Sequence, residues 1–201
     1  LSHKKLIKSK GFVRNPWLIM LSKSDIERAV IYIDGSNLYF SLKRFNFKID
    51  LEKFCKKLIG NSNLIKINYY IAPVDITSNP KEYSKQQKFF NKLKKIKNLN
   101  IIFGRLEKRK KGNILYYIEK ASDVNLALDL VLDAQKDIYA KAFLVSNDGD
   151  FSTAVSSAIN FGKEVIYVAV GNRKSFSHHL NKVATTTIKI NKEFISDLEL
   201  I

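Results

Sequence analysis

Arg28-Ala-Val-Ile-Tyr-Ile-Asp34-Gly-Ser-Asn37-Leu-Tyr-Phe-Ser-Leu42 is the stretch on which the fold turns. Ala29 to Ile33 is an apolar run of strand length. It stops at the turn pair Asp34-Gly35, and Leu38, Tyr39 and Leu42 then recur at helical spacing. Strand, loop and helix in that order open a βα unit, the building block of a mainly parallel sheet.

Downstream, the alternation continues. A helix is expected over residues 50 to 59, a strand at Ile65 to Ile71, a lysine-rich helix from Pro80 to Lys97, and a strand at Asn100 to Phe103. A charged turn, Glu107-Lys-Arg-Lys-Lys111-Gly112, precedes a further strand at Asn113 to Ile118. Ser122 reads as the N-cap of a helix running to Gln135, with Val124, Ala127, Leu128, Val131 and Ala134 as its inward stripe. A strand at Ala142 to Val145, a helix over 151 to 160, a strand at Glu164 to Val168 and a mixed tail complete the pattern. The expected class is a Rossmann-like three-layer α/β sandwich with helices on both faces of the sheet. Residues 1–27, with Lys4, Lys5, Lys8, Lys10 and Arg14, read as a basic N-terminal arm, and 28–201 as one domain.

The formal charge is +16, from 35 Lys+Arg against 19 Asp+Glu. A field of that sign draws in polyanions. An AT-rich coding genome produces the same excess of lysine, isoleucine and asparagine, and composition alone does not separate the two. The single cysteine, Cys55, has no partner for an internal disulfide and reads as a half-buried helix position. The longest apolar stretch near the start, Trp17 to Leu21, is too short for a signal or a membrane span, so a cytoplasmic location is expected.

Four acids stand where chemistry is expected. Ligands of open α/β sheets bind beyond the carboxyl ends of the strands. Asp34 follows the first strand, and Asp148 and Asp150 follow another. Asp123, in a helical first turn, joins the same edge if Ile114 to Ile118 is the preceding strand of the sheet. Clustered carboxylates repel one another unless a cation or proton neutralises them, so Mg²⁺ or Mn²⁺ is the expected occupant. Taken singly, each aspartate is more ordinary as a helix cap or turn residue.

Three segments, Val30-Ile-Tyr-Ile-Asp34-Gly-Ser-Asn37-Leu-Tyr39, Lys120-Ala-Ser-Asp123-Val-Asn-Leu-Ala-Leu-Asp129 and Leu144-Val-Ser-Asn-Asp148-Gly-Asp150-Phe151, are followed by Gly162-Lys163-Glu-Val165. Together, over residues 28 to about 170, they resemble the NYN domain, LabA-like branch, of the PIN-like nucleases. That resemblance implies a PIN-like fold, a divalent metal, and RNA processing or decay; an endoribonuclease is expected, although the sequence itself leaves endo- and exonucleolytic modes open. By position it assigns Asp34, Asp123, Asp148 and Asp150 as metal-binding acids and Asn37 as their support. Asn147 departs from it, standing where many relatives have glycine, and the Ala184-Thr185 pair replaces an Ala-Asp pair. Asp129 also matches a family position. At about 100° per residue, however, it falls with Asn125, Asp133 and Lys136 opposite Val124 and Val131, so it is expected outside the site.

RNA, expected to be single-stranded, would meet cations at Lys81, Lys85, Lys88 and Lys92 on one helix face, at Arg105 and Arg109, and at Arg173 and Lys174 near His178 and His179. A homodimer is a further expectation. A lysine stripe is also an ordinary solvated helix face. Tyr39 and Phe40 would suit base stacking, although Tyr39 at this spacing reads more readily as core. A dehalogenase-type phosphatase, suggested by Asp148-Gly-Asp150, fails because too little chain follows for its remaining motifs, and the EF-hand loop pattern is absent. The serious rival is a non-catalytic RNA-binding or regulatory module on the same fold.

Overall fold

The computed structural model describes residues 27–76, 79–112, 114–196 and 198. The expectations for the basic arm before Glu27 lie outside them. Among the described residues, eight strands and seven α-helices follow in the order β1 (Arg28–Asp34), α1 (Gly35–Arg44), α2 (Leu51–Ile59), β2 (Asn63–Ile71), α3 (Pro80–Leu93), β3 (Leu99–Phe103), β4 (Arg105–Lys111), β5 (Ile114–Lys120), α4 (Ser122–Gln135), β6 (Lys141–Val145), α5 (Ser152–Asn160), β7 (Glu164–Val170), α6 (His178–Val183), β8 (Thr186–Ile190) and α7 (Lys192–Ile195). Six of the strands form one parallel sheet in the order β3-β2-β1-β6-β7-β8.

Strand β1 lies at the centre, and every residue from Ala29 to Asp34 is buried. That explains its unbroken apolar run, since a parallel strand with helices on both faces has no solvent side. Ala29, Ile31 and Ile33 pack with Leu38, Phe54, Phe90 and Ile195 of α1, α2, α3 and α7. Val30 and Tyr32 pack on the other face with Leu126 and Leu130 of α4, Val155 of α5 and Leu180 of α6. Burial of each of the larger side chains, such as Ile31, Ile33 or Val30, stabilises the fold by about 1.5–3 kcal/mol, and Leu130→Ala would remove about 2–5 kcal/mol. Cys55 is fully buried, deeper than its sequence neighbours suggest, and burial pushes its thiol up to about 12.

Helix α4 is rotated from the face its apolar spacing suggests: Ala134 is buried and Ala127 and Val131 pack against the core as expected, but Val124 and Leu128 do not. Its buried residues are Ser122, Leu126, Leu130 and Ala134, while Val124 and Leu128 are exposed. The helix is apolar on both sides, and tyrosines of the sheet decide between them. The Tyr70 hydroxyl donates to Asp129 at 2.7 Å and the Tyr32 hydroxyl to Asp133 at 2.6 Å, so the acids point at the sheet. Burial and these carboxylates push both phenols far above their ordinary range. Ser122 is also not the cap. Ala121 occupies that place in the left-handed region, and no side chain caps the helix.

The charged segment expected as a turn is strand β4, paired antiparallel with β5 in a separate two-stranded sheet. Like charges in sequence resemble a loop. Here the pleat sends Arg105, Glu107 and Arg109 to one face and Leu106, Lys108 and Lys110 to the other. β5 is therefore not a strand of the main sheet. The hairpin leaves β3 at Gly104 and returns to Ala121, so both of its roots stand at the carboxyl edge.

Candidate active site

The strand order changes direction between β1 and β6. From β1 the chain steps outward through β2 to β3, and from β6 it steps the other way through β7 to β8. Beyond the carboxyl ends of two strands so arranged, the connections diverge and leave a crevice. Asp34 ends β1, and Asp148 lies three residues past the end of β6.

Asp34 is 8% exposed and caps α1 by accepting the Asn37 amide at 2.9 Å. Its other oxygen, Oδ2, receives the buried Ser146 hydroxyl at 2.9 Å. The same hydroxyl accepts the Asp148 amide at 3.0 Å, and Asp148 Oδ1 accepts the Asp150 amide at 3.0 Å. The α1 N-terminus adds its positive end to this acidic corner. Gly35 is needed for the close approach. A Cβ there would come within 2.4 Å of the Tyr69 ring and 2.7 Å of the Tyr70 carbonyl.

Asn37 does not reach Asp34 with its side-chain amide. Its Oδ1 accepts the Asn147 amide at 3.0 Å, which ties the loop after β6 to α1. Asn147 is the residue that sequence reasoning passed over. Its Nδ2 donates to the Val170 carbonyl at 2.8 Å and to Ser41 Oγ at 3.4 Å, and its Oδ1 receives the Tyr167 hydroxyl at 2.9 Å and the Val170 amide at 3.3 Å. Tyr167 in turn accepts the Ser177 amide at 2.9 Å. One amide side chain thus joins α1, β6, β7 and the approach to α6. Its only signal in the sequence is the departure from glycine.

Asp123 arrives at the same edge by another route. The N-terminus of α4 is pressed against Gly104 just past β3, where a Cβ would lie 2.2 Å from Ser122 Oγ. Asp123 is exposed there, on the β2–β3 side, whereas Asp34, Asp148 and Asp150 share the hydrogen-bonded loop at β1 and β6. Among the described residues no three His, Cys, Asp or Glu side chains are drawn together as a metal cage. The donors are nevertheless of the kind Mg²⁺ takes. It binds through one or two carboxylates, keeps several waters and completes its shell with substrate phosphate, so a closed protein cage is not required of it. Asp129 stays outside this group because the Tyr70 hydroxyl engages it. Its place opposite the buried stripe, expected from helix geometry, is corrected.

Of the cationic candidates, Lys81, Lys85, Lys88 and Lys92 are exposed along α3, with Lys85 held 2.6 Å from Glu82. Arg105 and Arg109 both engage Glu107, at 3.1 and 2.5 Å. Arg173 and Lys174 are exposed beyond β7. His179 lies beside the acidic loop, where a Cβ on Gly149 would be 3.4 Å from its ring.

A central parallel sheet with helices on both faces and a switch point between β1 and β6 fits a PIN-like three-layer α/β fold. Residues 28–191 match the NYN domain model, and the chain belongs to that family of PIN-like nucleases, whose substrates are nucleic acids. Its structure is similar to a crystal structure of a protein of unknown function from Vibrio parahaemolyticus, with a TM-score of 0.67 and 22% identity over 86% of this chain and 99% of that one. At that identity the likeness speaks for the fold. No curated protein matches the chain significantly. Among the described residues no helix is long and apolar enough to cross a membrane.

Proposed function

We infer that this chain is a divalent-metal-dependent endoribonuclease of the LabA-like branch, hydrolysing phosphodiester bonds of single-stranded RNA in cytoplasmic RNA processing or decay. The observation that carries the reading is the pairing through Ser146 of Asp34, at the end of β1, with Asp148, in the loop after the neighbouring strand β6, across the switch point. Asp34, Asp123, Asp148 and Asp150 would hold Mg²⁺ or Mn²⁺. Such an ion supplies charge neutralisation for the phosphate and for the leaving oxygen, and lowers the pKa of water.

The chain's own residues do the rest. The Asn37 backbone amide and the Ser146 hydroxyl hold Asp34 in one orientation, one on each carboxylate oxygen. Asn37 and Asn147 keep the Asp148–Asp150 loop against α1, fixing the spacing of acids that come from distant parts of the chain. Lys81, Lys85, Lys88 and Lys92, with Arg105, Arg109, Arg173 and Lys174, offset the repulsion between carboxylates and a polyanion and guide its backbone inward.

The test is cleavage of single-stranded RNA in Mg²⁺ or Mn²⁺ by the parent chain, Asp34→Asn and Asp148→Asn. Cleavage by the parent alone, with RNA binding retained in both variants, supports the reading. Cleavage that survives EDTA and both substitutions overturns it, and binding without cleavage across varied RNAs favours the non-catalytic module.

A further inference from the structure

The outer face of α1 is left in water although it carries two aromatic rings. At about 100° per residue, Gly35, Leu38 and Leu42 turn toward the sheet, Phe40, Lys43 and Arg44 turn away from it, and Tyr39 stands at the border beside Lys43. Gly35 and Leu38 are buried and Leu42 packs against the core, whereas Tyr39 is 52% and Phe40 64% exposed. The expectation of Tyr39 as core is therefore wrong.

These rings are ordered with respect to each other and to cations. They meet edge to face with centroids 5.3 Å apart, and the Lys43 ammonium stands 5.9 Å from the Tyr39 centroid. Helix α3 borders them: Lys85 lies within electrostatic reach of Tyr39, and Glu82 within reach of Lys43. The N-cap of this same helix is Asp34. Tyr39 and Phe40 follow it by five and six residues, about 7–9 Å along the helix axis, a distance covered by two or three stacked nucleotides at about 3.4 Å each.

We propose that Tyr39 and Phe40, with Lys43, Arg44 and Lys85 around them, form a base-stacking subsite for unpaired nucleotides of a single strand whose backbone passes Asp34. Cations hold the phosphates while π faces take the bases, and every base has a π face to offer. A duplex keeps those faces within its own stack, so this surface discriminates by strandedness and not by sequence. The subsite rests on the ribonuclease reading only for where the scissile phosphate would lie.

The experiment measures binding by the full chain in EDTA, by anisotropy of labelled oligouridylate, oligothymidylate and an RNA duplex of equal length. The Tyr39→Ala/Phe40→Ala double variant is expected to lose roughly 5- to 150-fold in single-strand affinity per stacked base, with little change on the duplex and an unchanged melting temperature. Phe40→Trp in a Trp17→Phe background is expected to keep affinity and to show tryptophan quenching on binding, the chain's one tryptophan having been removed. Single-strand affinity unchanged in the double variant overturns the proposal, as does equal loss on strand and duplex. A parent chain that binds neither overturns it as well and turns attention to a protein partner. Ring-dependent binding without cleavage in Mg²⁺ leaves the subsite standing and removes the ribonuclease reading, whereas cleavage with ring-independent binding does the reverse.

Discussion

Ser146 donates its hydroxyl hydrogen to Asp34 Oδ2 at 2.9 Å, across 112 residues of sequence. The contact is buried, and the same oxygen accepts the Asp148 amide. Ser146→Ala therefore removes an orienting donor from one acid and leaves an amide beside the other without its acceptor. The expected outcome is a 10- to 100-fold fall in cleavage rate, as for other residues that orient metal-binding carboxylates, with a stability loss of about 1–3 kcal/mol. Initial rates and urea unfolding measure the two effects separately. A parental rate in a destabilised variant would show that the orientation of Asp34 is of no consequence.

Asp123 and Asp129 lie on one helix and are predicted to behave oppositely. Asp129 accepts the Tyr70 hydroxyl, which is itself linked to Asn68 and through it to Asn100. Asp129→Ala is expected to lower stability by about 1–3 kcal/mol and to leave cleavage by the folded fraction near parental. Asp123→Asn, at an exposed position, is expected to lose most of its cleavage per folded molecule. Thermal melts beside rates per folded molecule decide. Loss of rate in Asp129→Ala at full folding would bring that residue into the site.

How far the sequence was legible follows from where the deciding contacts lie. Ala29 to Ile33 is apolar throughout because both faces of β1 are covered, and the acids after β1 and β6 stand where apolar runs end, so sheet and acids could be read together. The inward face of α4 could not. Val124 and Leu128 look as suited to burial as Leu126 and Leu130, and the choice rests on the phenols of Tyr32 and Tyr70, more than fifty residues away. Asn147 was illegible for the same reason, its partners lying on α1 and β7. The charged strand β4 was misread because its pairing with β5, and not its own composition, makes it a strand.

The β4–β5 hairpin presents unequal cations on its two faces. Glu107 sits between Arg105 and Arg109 and offsets part of their charge, whereas Lys108 and Lys110, on the opposite face, pair with no carboxylate among the described residues. Lys108→Gln/Lys110→Gln is expected to flatten the dependence of log affinity on log salt by about 0.7 per lost phosphate contact on single strands. Arg105→Gln/Arg109→Gln is expected to flatten it less. Affinities measured from about 50 to 200 mM salt check this. Equal slopes in both variants and the parent would place the strand elsewhere.

Asp137 joins the amino ends of two sheet strands, and its charge makes stability depend on acid. It pairs with Lys163 before β7 and with Arg28 of β1 at 2.8 Å. Those two cations, Lys163 first, hold its carboxyl down to about 2, below an ordinary aspartate value of about 3.9. A folded-state value below the unfolded one means that the contribution is fully present above about pH 4–5 and is lost as the pH falls toward about 2. Asp137→Asn is the right comparison, because the residue has a φ of +55°, which asparagine also adopts readily. At neutral pH and low ionic strength, where exposed pairs are least screened, the variant is expected to melt below the parent. On acidification the parental melting temperature should fall more steeply until the two curves meet near the folded value, as followed by circular dichroism. Parallel curves would show that neither ion pair holds β1 and β7 in place, and the acid sensitivity of the fold would then belong to other carboxylates.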